Sequence, residues 1–486
     1  MRNQNSPHFT INGTTVTGSG STANGQIDYF YGQENVGYTV TITSNANLYN
    51  MGPDPSGEPP LLTSDGTPYH EVVYMSYGTF VNNGTLNAYP QPLHNAANNY
   101  HKAPSIVFIN NPKGHPSQVT NNGTIGDFPI ISDKNNPFYS YSQENDDGIV
   151  LYDGTITNNQ TGVITGNNAV FTKGTGTLNN YGKIVGNNDG ALTGYVVNNY
   201  ANASLSNGVA GFACIHAYNT VNNYGYMLGQ DYGILADGKN YAINDYGGQA
   251  VPGVKNFDGS QVYNGEISAL QRGSELPRTT GPYNTMDAIM LDTNGVTVNL
   301  ISTTVDTTVY LPVILGPMVG GFNGDFASPT AHMINTLNFD FHGLSADQEN
   351  ALKTAVSQSY QSGPNGNYYS GSIMLDGHTY HWEGFAQVLF QGQNILSTPP
   401  PTSTPIALAT ATRGQVEIAS GQITTTHRKS LVQPSVSGTL NIELLIACLL
   451  ILLVLMLAAY RLWHRKLHKI QVSKQSTQEF QLDADQ

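Results

Sequence analysis

The chain has 486 residues, a formal net charge of −14 at pH 7, and only 11% charged against 39% hydrophobic residues. This acidity, with no arginine between Arg2 and Arg272, gives nucleic acid no electrostatic footing and leaves the central region without a guanidinium to clamp carboxylate or phosphate groups. The length exceeds one ordinary compact domain, while the hydrophobic content and a regular repeat argue for a solenoid that grows in one dimension rather than for the disorder that low charge and 52 glycines could suggest.

Residues 1–69 are expected to form an irregular N-terminal cap and the first strands. From 70 to 300 an Asn-Asn unit recurs: Val81-Asn82-Asn83-Gly84, Val119-Thr120-Asn121-Asn122-Gly123, Ile156-Thr157-Asn158-Asn159, Leu178-Asn179-Asn180-Tyr181-Gly182, Val197-Asn198-Asn199-Tyr200 and Val221-Asn222-Asn223-Tyr224-Gly225. Degenerate copies follow at Ile243-Asn244-Asp245-Tyr246-Gly247 and Val262-Tyr263-Asn264-Gly265. A spacing of roughly twenty residues signals a stacked repeat, because one unit cannot bury its own apolar face. Each repeat holds three short apolar runs. One ends at the corner (Ile156, Leu178, Val197, Val221, Ile243, Val262), a second follows it (Ile164, Ile184, Leu205, Met227, Ile267), and a third lies midway to the next corner (Val170, Ala191, Cys214-Ile215, Ile234). Short runs bounded by Gly, Asn or Asp are strand signals, so the expected fold is an all-β, right-handed parallel β-helix with three strands per turn.

Asn and Gly suit the corners because they enter left-handed backbone at least cost, and stacked amides can hydrogen-bond from rung to rung. Tyr181, Tyr200, Tyr224 and Tyr246 share the position after the corner. They are expected to stack, either as packing along the solenoid or as a platform for carbohydrate. Cys214 fits a small core residue. The sequons at Asn12, Asn83, Asn122, Asn159 and Asn202 matter only in a eukaryotic secretory pathway, and four of them fall in or near corners.

Residues 301–395 are expected to cap the far end. Asn335 to Phe341 alternates as a strand. Ser345 with Gln348 three residues on forms a capping box, and Ala351, Leu352, Ala355 and Val356 give the following helix its apolar face. A hairpin turns at Asp376-Gly377.

The repeats Thr177 to Gly186 and Thr220 to Gly225, with the segment from Leu337 to Phe385, resemble the passenger domains of bacterial autotransporter adhesins. That resemblance covers about half the chain and implies a β-helical surface protein. The C-terminus departs from it. Where an autotransporter has a barrel of alternating strands, residues 396–440 form a Pro/Ser/Thr-rich stalk. Residues 441–462 then have the length and apolarity of a spanning helix, with Cys448 inside it. The tail 463–486 opens with His464, Arg465, Lys466 and Lys469, just after Arg461. These charges favour a cytoplasmic tail and an extracytoplasmic solenoid at the plasma membrane. Residues 1–7 show no apolar signal core. The alternatives are a start further upstream, unconventional export, or a tail-anchored chain with a cytosolic solenoid.

A glycosidase would need two carboxylates on adjacent rungs. Asp146, Asp147, Asp189, Asp231, Asp237, Asp245 and Asp258 are the candidates, but none repeats as a pair, and Asp147-Gly148 and Asp237-Gly238 suit ordinary turns. A lyase would want an arginine in the solenoid. No cofactor is implied, and no metal site. His378 and His381 fall on opposite faces of one strand, and Gly-Gly-x-Gly-x-Asp calcium repeats are absent. The expected function is therefore adhesion to a surface glycan or protein ligand without catalysis, with the lipid bilayer as the partner of the C-terminal helix. A surface-anchored carbohydrate-active enzyme is the alternative.

Overall fold

The computed structural model describes residues 4–22, 28–50, 71–88, 105–112, 114–126, 147–207, 213–256, 259–269, 286–321, 333–363 and 366–395. The three apolar runs of each repeat become three parallel faces. On the first, strands such as Gly154–Asn158, Gly176–Asn180, Val196–Asn199, Val221–Asn223 and Ala242–Tyr246 lie in parallel register. Ile156, Leu178, Val197, Val221 and Ile243 form one inward ladder, every member fully buried. It extends back through Val119, Phe80, Val40 and Val16, and forward through Val298, Leu337 and Val388. The second face stacks Leu48, Leu86, Ile125, Ile164, Ile184, Leu205, Met227, Ile267 and Ile314. The third stacks Val73, Val107, Ile149, Val170, Ala191, Ile215, Ile234, Ile289, Met318 and Trp382. Together these ladders make one continuous core, the arrangement that lets a long chain bury apolar surface without a globular centre. Cys214 lies fully buried among them.

Three local expectations change. Val262 is no member of the first ladder, because Ile243 pairs with Val298. Gln261–Tyr263 instead pairs antiparallel with Ala250–Lys255, so this stretch is a hairpin inserted between faces whose alternation imitates a rung. Asp147-Gly148 is not a turn but the start of the strand Asp147–Leu151, with Asp147 buried. And most corners do not use left-handed backbone, although Asn202 and Gly265 take it, with φ of 65° and 68°. Asn158, Asn180, Asn199, Asn223, Gly182 and Gly225 are all absent from the positive-φ residues. Glycine stands at Gly182 and Gly225 because a Cβ there would collide with carbonyl oxygens of the preceding corner, those of Gly162 and Asn159 or of Ala203 and Tyr200.

At both ends of the described stack antiparallel elements lie against the first and third faces, where they cover the parallel edge. Phe9–Asn12 folds back on Thr15–Gly18, the first strand of the first face. At the far end the helix Ala346–Gln358 has the capping box at Ser345 and buries Leu352 and Val356, while Ala351 is exposed. Gly366–Leu375 and His378–Phe385 form the hairpin, with Asp376 and Gly377 at positive φ as a primed turn requires. Phe339, Phe341, Tyr380 and Trp382 meet edge-on or tilted over the last rung, and the Tyr380 hydroxyl donates to the Pro312 carbonyl at 2.7 Å. Among the described residues no helix is long and apolar enough to cross a membrane, and the expected span at 441–462 lies outside them, as do the stalk and tail.

Val221 has like neighbours above and below, so Val221→Ala leaves a gap that parallel strands cannot close by sliding. We expect a loss of about 2 kcal/mol, read as a lower midpoint in chemical denaturation.

Candidate functional site

If Val197 points inward, its neighbours Val196 and Asn198 point outward. The outer surface of the first face therefore consists of columns, and their composition is unusual. One runs Thr15, Thr39, Thr79, Gln118, Thr155, Thr177 and Val196, and resumes at Ala242, Thr297, Thr336 and Gln387. The next runs Thr17, Thr41, Val81, Thr120, Thr157, Asn179, Asn198, Asn222, Asn244, Asn299, Asn338 and Leu389. Neither column carries a charge. All these residues are exposed or half-buried, so solvent reaches the face along its length. The third face differs. Its outward Val150, Leu235, Met290 and Val319 are buried.

The outward asparagines are tied together. Each Nδ2 donates to the Oδ1 of the preceding rung, from Asn338 to Asn299 at 3.0 Å, then to Asn244 and Asn222 at 2.8 Å each, Asn198 at 2.8 Å and Asn179 at 2.9 Å. From Asn198 to Asn299 one N–H and one acceptor lone pair of each amide are used this way, leaving one N–H and one lone pair for solvent or ligand, while the Asn338 Oδ1 accepts from the Gly392 amide at 3.0 Å.

A third outward column borders the second. It begins as Asn83, Asn122 and Asn159, whose amides are linked at 2.8 and 2.5 Å, and continues as the tyrosines. Tyr181 and Tyr200 stack with centroids 4.1 Å apart and planes 7° from parallel, and Tyr224 and Tyr246 at 4.1 Å and 13°. Tyr200 and Tyr224 stand 6.2 Å apart between these pairs. The structure thus brings the four predicted residues into one column. Their faces are spent on one another, however, so edges and hydroxyls are what the stack offers a ligand. The hydrogen bond from Tyr181, then burial, pushes the Tyr200 phenol up to about 12. Burial first, then the Tyr224 hydroxyl, does the same to Tyr246. Tyr200→Leu removes both stacking contacts. It should cost about 1 kcal/mol by thermal unfolding while leaving the Thr and Asn columns intact.

A second asparagine ladder faces inward and is fully buried. Asn82, Asn121, Asn158, Asn180, Asn199 and Asn223 each donate to the next Oδ1 at 2.8 or 2.9 Å, and the series ends on Asp245. Its donors point opposite to those of the outer ladder. Beyond Asp245 the column turns apolar at Leu300 and Phe339. Burial, reinforced by the field of Glu266 and opposed by the Asn223 bond, raises Asp245 to about 8.

Of the predicted carboxylates, only Asp147 and Asp189 are seen to approach each other among the described residues, near enough for Asp189 to raise Asp147, and both are buried. Asp147, Asp189 and Asp245 are buried, Asp231 and Asp237 are half-buried, and Asp146 and Asp258 lie outside the described residues. Burial lifts Asp147 to about 7 against two hydrogen bonds from Asn168. One acidic cluster does exist, around a residue the sequence did not single out. His216 Nε2 pairs with Asp237 Oδ2 and stacks on Tyr218 at 5.2 Å, and Tyr218 is 45% exposed. Asp292 is near enough to this pair for Asp237 to raise it, after burial, and for His216 to lower it. Among the described residues no group of His, Cys, Asp and Glu is placed to hold a metal ion. His378 packs edge-on against Tyr263, while His381 pairs with Glu383 at 3.0 Å.

The amide stacking expected at the corners is present, but the outward Thr column and the division of the amides into an outward and an inward ladder went unread in the sequence, although the signal was present. Thr-Ile-Thr at 155–157 and Thr-Val-Asn at 220–222 place two polar residues around each inward apolar one. No protein-family model, curated protein or solved structure matches this chain.

Proposed function

We propose that this chain is an anchored, non-catalytic binding solenoid that contacts an external surface or glycan through the outer columns of its first face. The observation that carries this reading is the long, uncharged, solvent-reached array from Thr15 to Asn338, bordered by the tyrosine stack. Binding through such a face is spread over area, so it needs no pocket and no perturbed acid–base pair. The finer picture is a right-handed winding like that of autotransporter passengers, a stalk over 396–440 and a single-pass anchor at 441–462 in the plasma membrane. Protease added to intact cells should then remove the solenoid and spare the tail, whereas full protection of the solenoid supports a tail-anchored cytosolic form. The full-length protein should retain surfaces or uncharged glycans without altering them, and loss of retention in Asn222→Lys would tie it to the face.

A second reading has one observation in its favour. The half-buried Asp237 and Asp292, with His216 and Tyr218, pair an imidazole-bound carboxylate with one held toward its neutral form, a division of roles that hydrolysis of a glycoside uses. Saccharide release that disappears in Asp237→Asn would establish this enzyme and displace the binding-only reading.

A further inference from the structure

The first face is periodic in two directions, and a choice of ligand from that periodicity rests on the surface-binding role proposed for the solenoid. Outward side chains on one strand sit two residues apart, roughly 6.7 Å, and adjacent strands are roughly 4.8 Å apart. Strands with Thr at both outward positions, Thr15 with Thr17, Thr39 with Thr41 and Thr155 with Thr157, set a methyl and a hydroxyl at each point of this grid. β-Branching leaves threonine few χ1 choices, and in-register neighbours narrow them further. Toward the C-terminal end the outer amide ladder holds its asparagines just as firmly.

The geometry points to ice as the surface this face binds. An in-register array with both repeats near the spacings of oxygen rows in hexagonal ice can meet a lattice at many points at once, each of them weak. Methyl groups favour an ordered hydration shell, and the adjacent hydroxyls and free amide hydrogens anchor that shell to the protein. Charged side chains would orient water away from a lattice, and the two columns contain none. A sugar platform, by contrast, would present free aromatic faces, and these rings stack on each other at 4.1 Å.

The test offers labelled full-length protein to a slowly growing ice hemisphere and, in parallel, to an array of uncharged glycans. We expect the protein to be taken up into ice, and Thr157→Lys and Asn222→Lys each to lose that uptake. Ser206→Lys, on the second face, should keep it, and matching circular dichroism and melting curves would show that all three variants fold. Uptake that survives both lysines overturns the assignment. Binding to glycans with exclusion from ice overturns the ice assignment and leaves the surface-binding reading standing. Binding to neither removes both.

Discussion

Asn180→Asp is expected to cost about 4 kcal/mol at pH 7, although it exchanges one amide nitrogen for one oxygen. Asn180 is fully buried and satisfied on both sides. Its Nδ2 donates to Asn199 Oδ1 and to the Ser204 carbonyl, each at 2.9 Å, and its Oδ1 accepts from Asn158 Nδ2 at 2.9 Å and from the Gly182 amide at 3.2 Å. An aspartate keeps the accepting half and turns the donating half into an acceptor facing two acceptors. If charged, it is a buried anion beside two carbonyl oxygens. If protonated, it has one hydrogen where the amide had two and carries the cost of holding a proton at neutral pH. Denaturant midpoints at pH 7 and pH 4 measure this directly. The deficit should shrink at pH 4, where about half of the unfolded chain is also protonated at this position. A variant within 1 kcal/mol of the parent at pH 7 would mean that the ladder contributes little.

The contrast between Asn180 and its neighbour Asn179 shows how far the sequence is legible. At 178–180, 197–199 and 221–223 the apolar residue that opens the corner marks the inward side, and period two sends the first Asn out and the second in, whereas at 80–83, 119–122 and 156–159 one more residue intervenes, so the first Asn turns in and the second out. All three apolar ladders obey that rule, and so do the tyrosine column and the terminal helix and hairpin. The rule misleads at Val262, because an inserted antiparallel hairpin alternates as a rung does and only pairing separates them. It is silent on the acids. Asp147 sits before a glycine and has a turn's local signature, yet it opens a buried strand where Asn168 supplies its hydrogen bonds. The His216–Asp237–Asp292 cluster joins residues from three consecutive turns, which no local spacing encodes. The corners are the subtler case. Their Asn and Gly composition suggested both left-handed turns and amide stacking; the stacking is what selects asparagine, and close backbone approach, which the sequence does not show, selects the glycines.

Asp245→Asn should stabilise the protein, and the gain should grow with pH. Asp245 is the last acceptor of the inner ladder. It accepts from Asn223 at 2.8 Å through Oδ1, its Oδ2 has no partner, and the next rung offers only Leu300. Burial and the nearby Glu266 raise its carboxyl from an ordinary 3.8 to about 8. Below pH 4 the folded and unfolded chains both hold the proton, and the group contributes nothing. Between pH 4 and 8 the unfolded chain ionises while the folded one does not. Stability then falls by about 1.4 kcal/mol per pH unit and levels off above pH 8. An asparagine has no proton to lose. Its Oδ1 can still accept from Asn223, and its Nδ2 is aimed along the series of carbonyls that each ladder residue uses, Glu266 for Asn223 and next Val313, which is in register with Glu266. The expected gain is on the order of 5 kcal/mol at pH 8 and about 1.5 kcal/mol at pH 5. The variant keeps the part of the acid preference that comes from Asp147, which burial raises to about 7. Melting curves of parent and variant at pH 5 and pH 8 decide the matter. Equal differences at the two pH values would show that Asp245 is ionised within the fold, and that the ladder ends on a charge rather than on a proton.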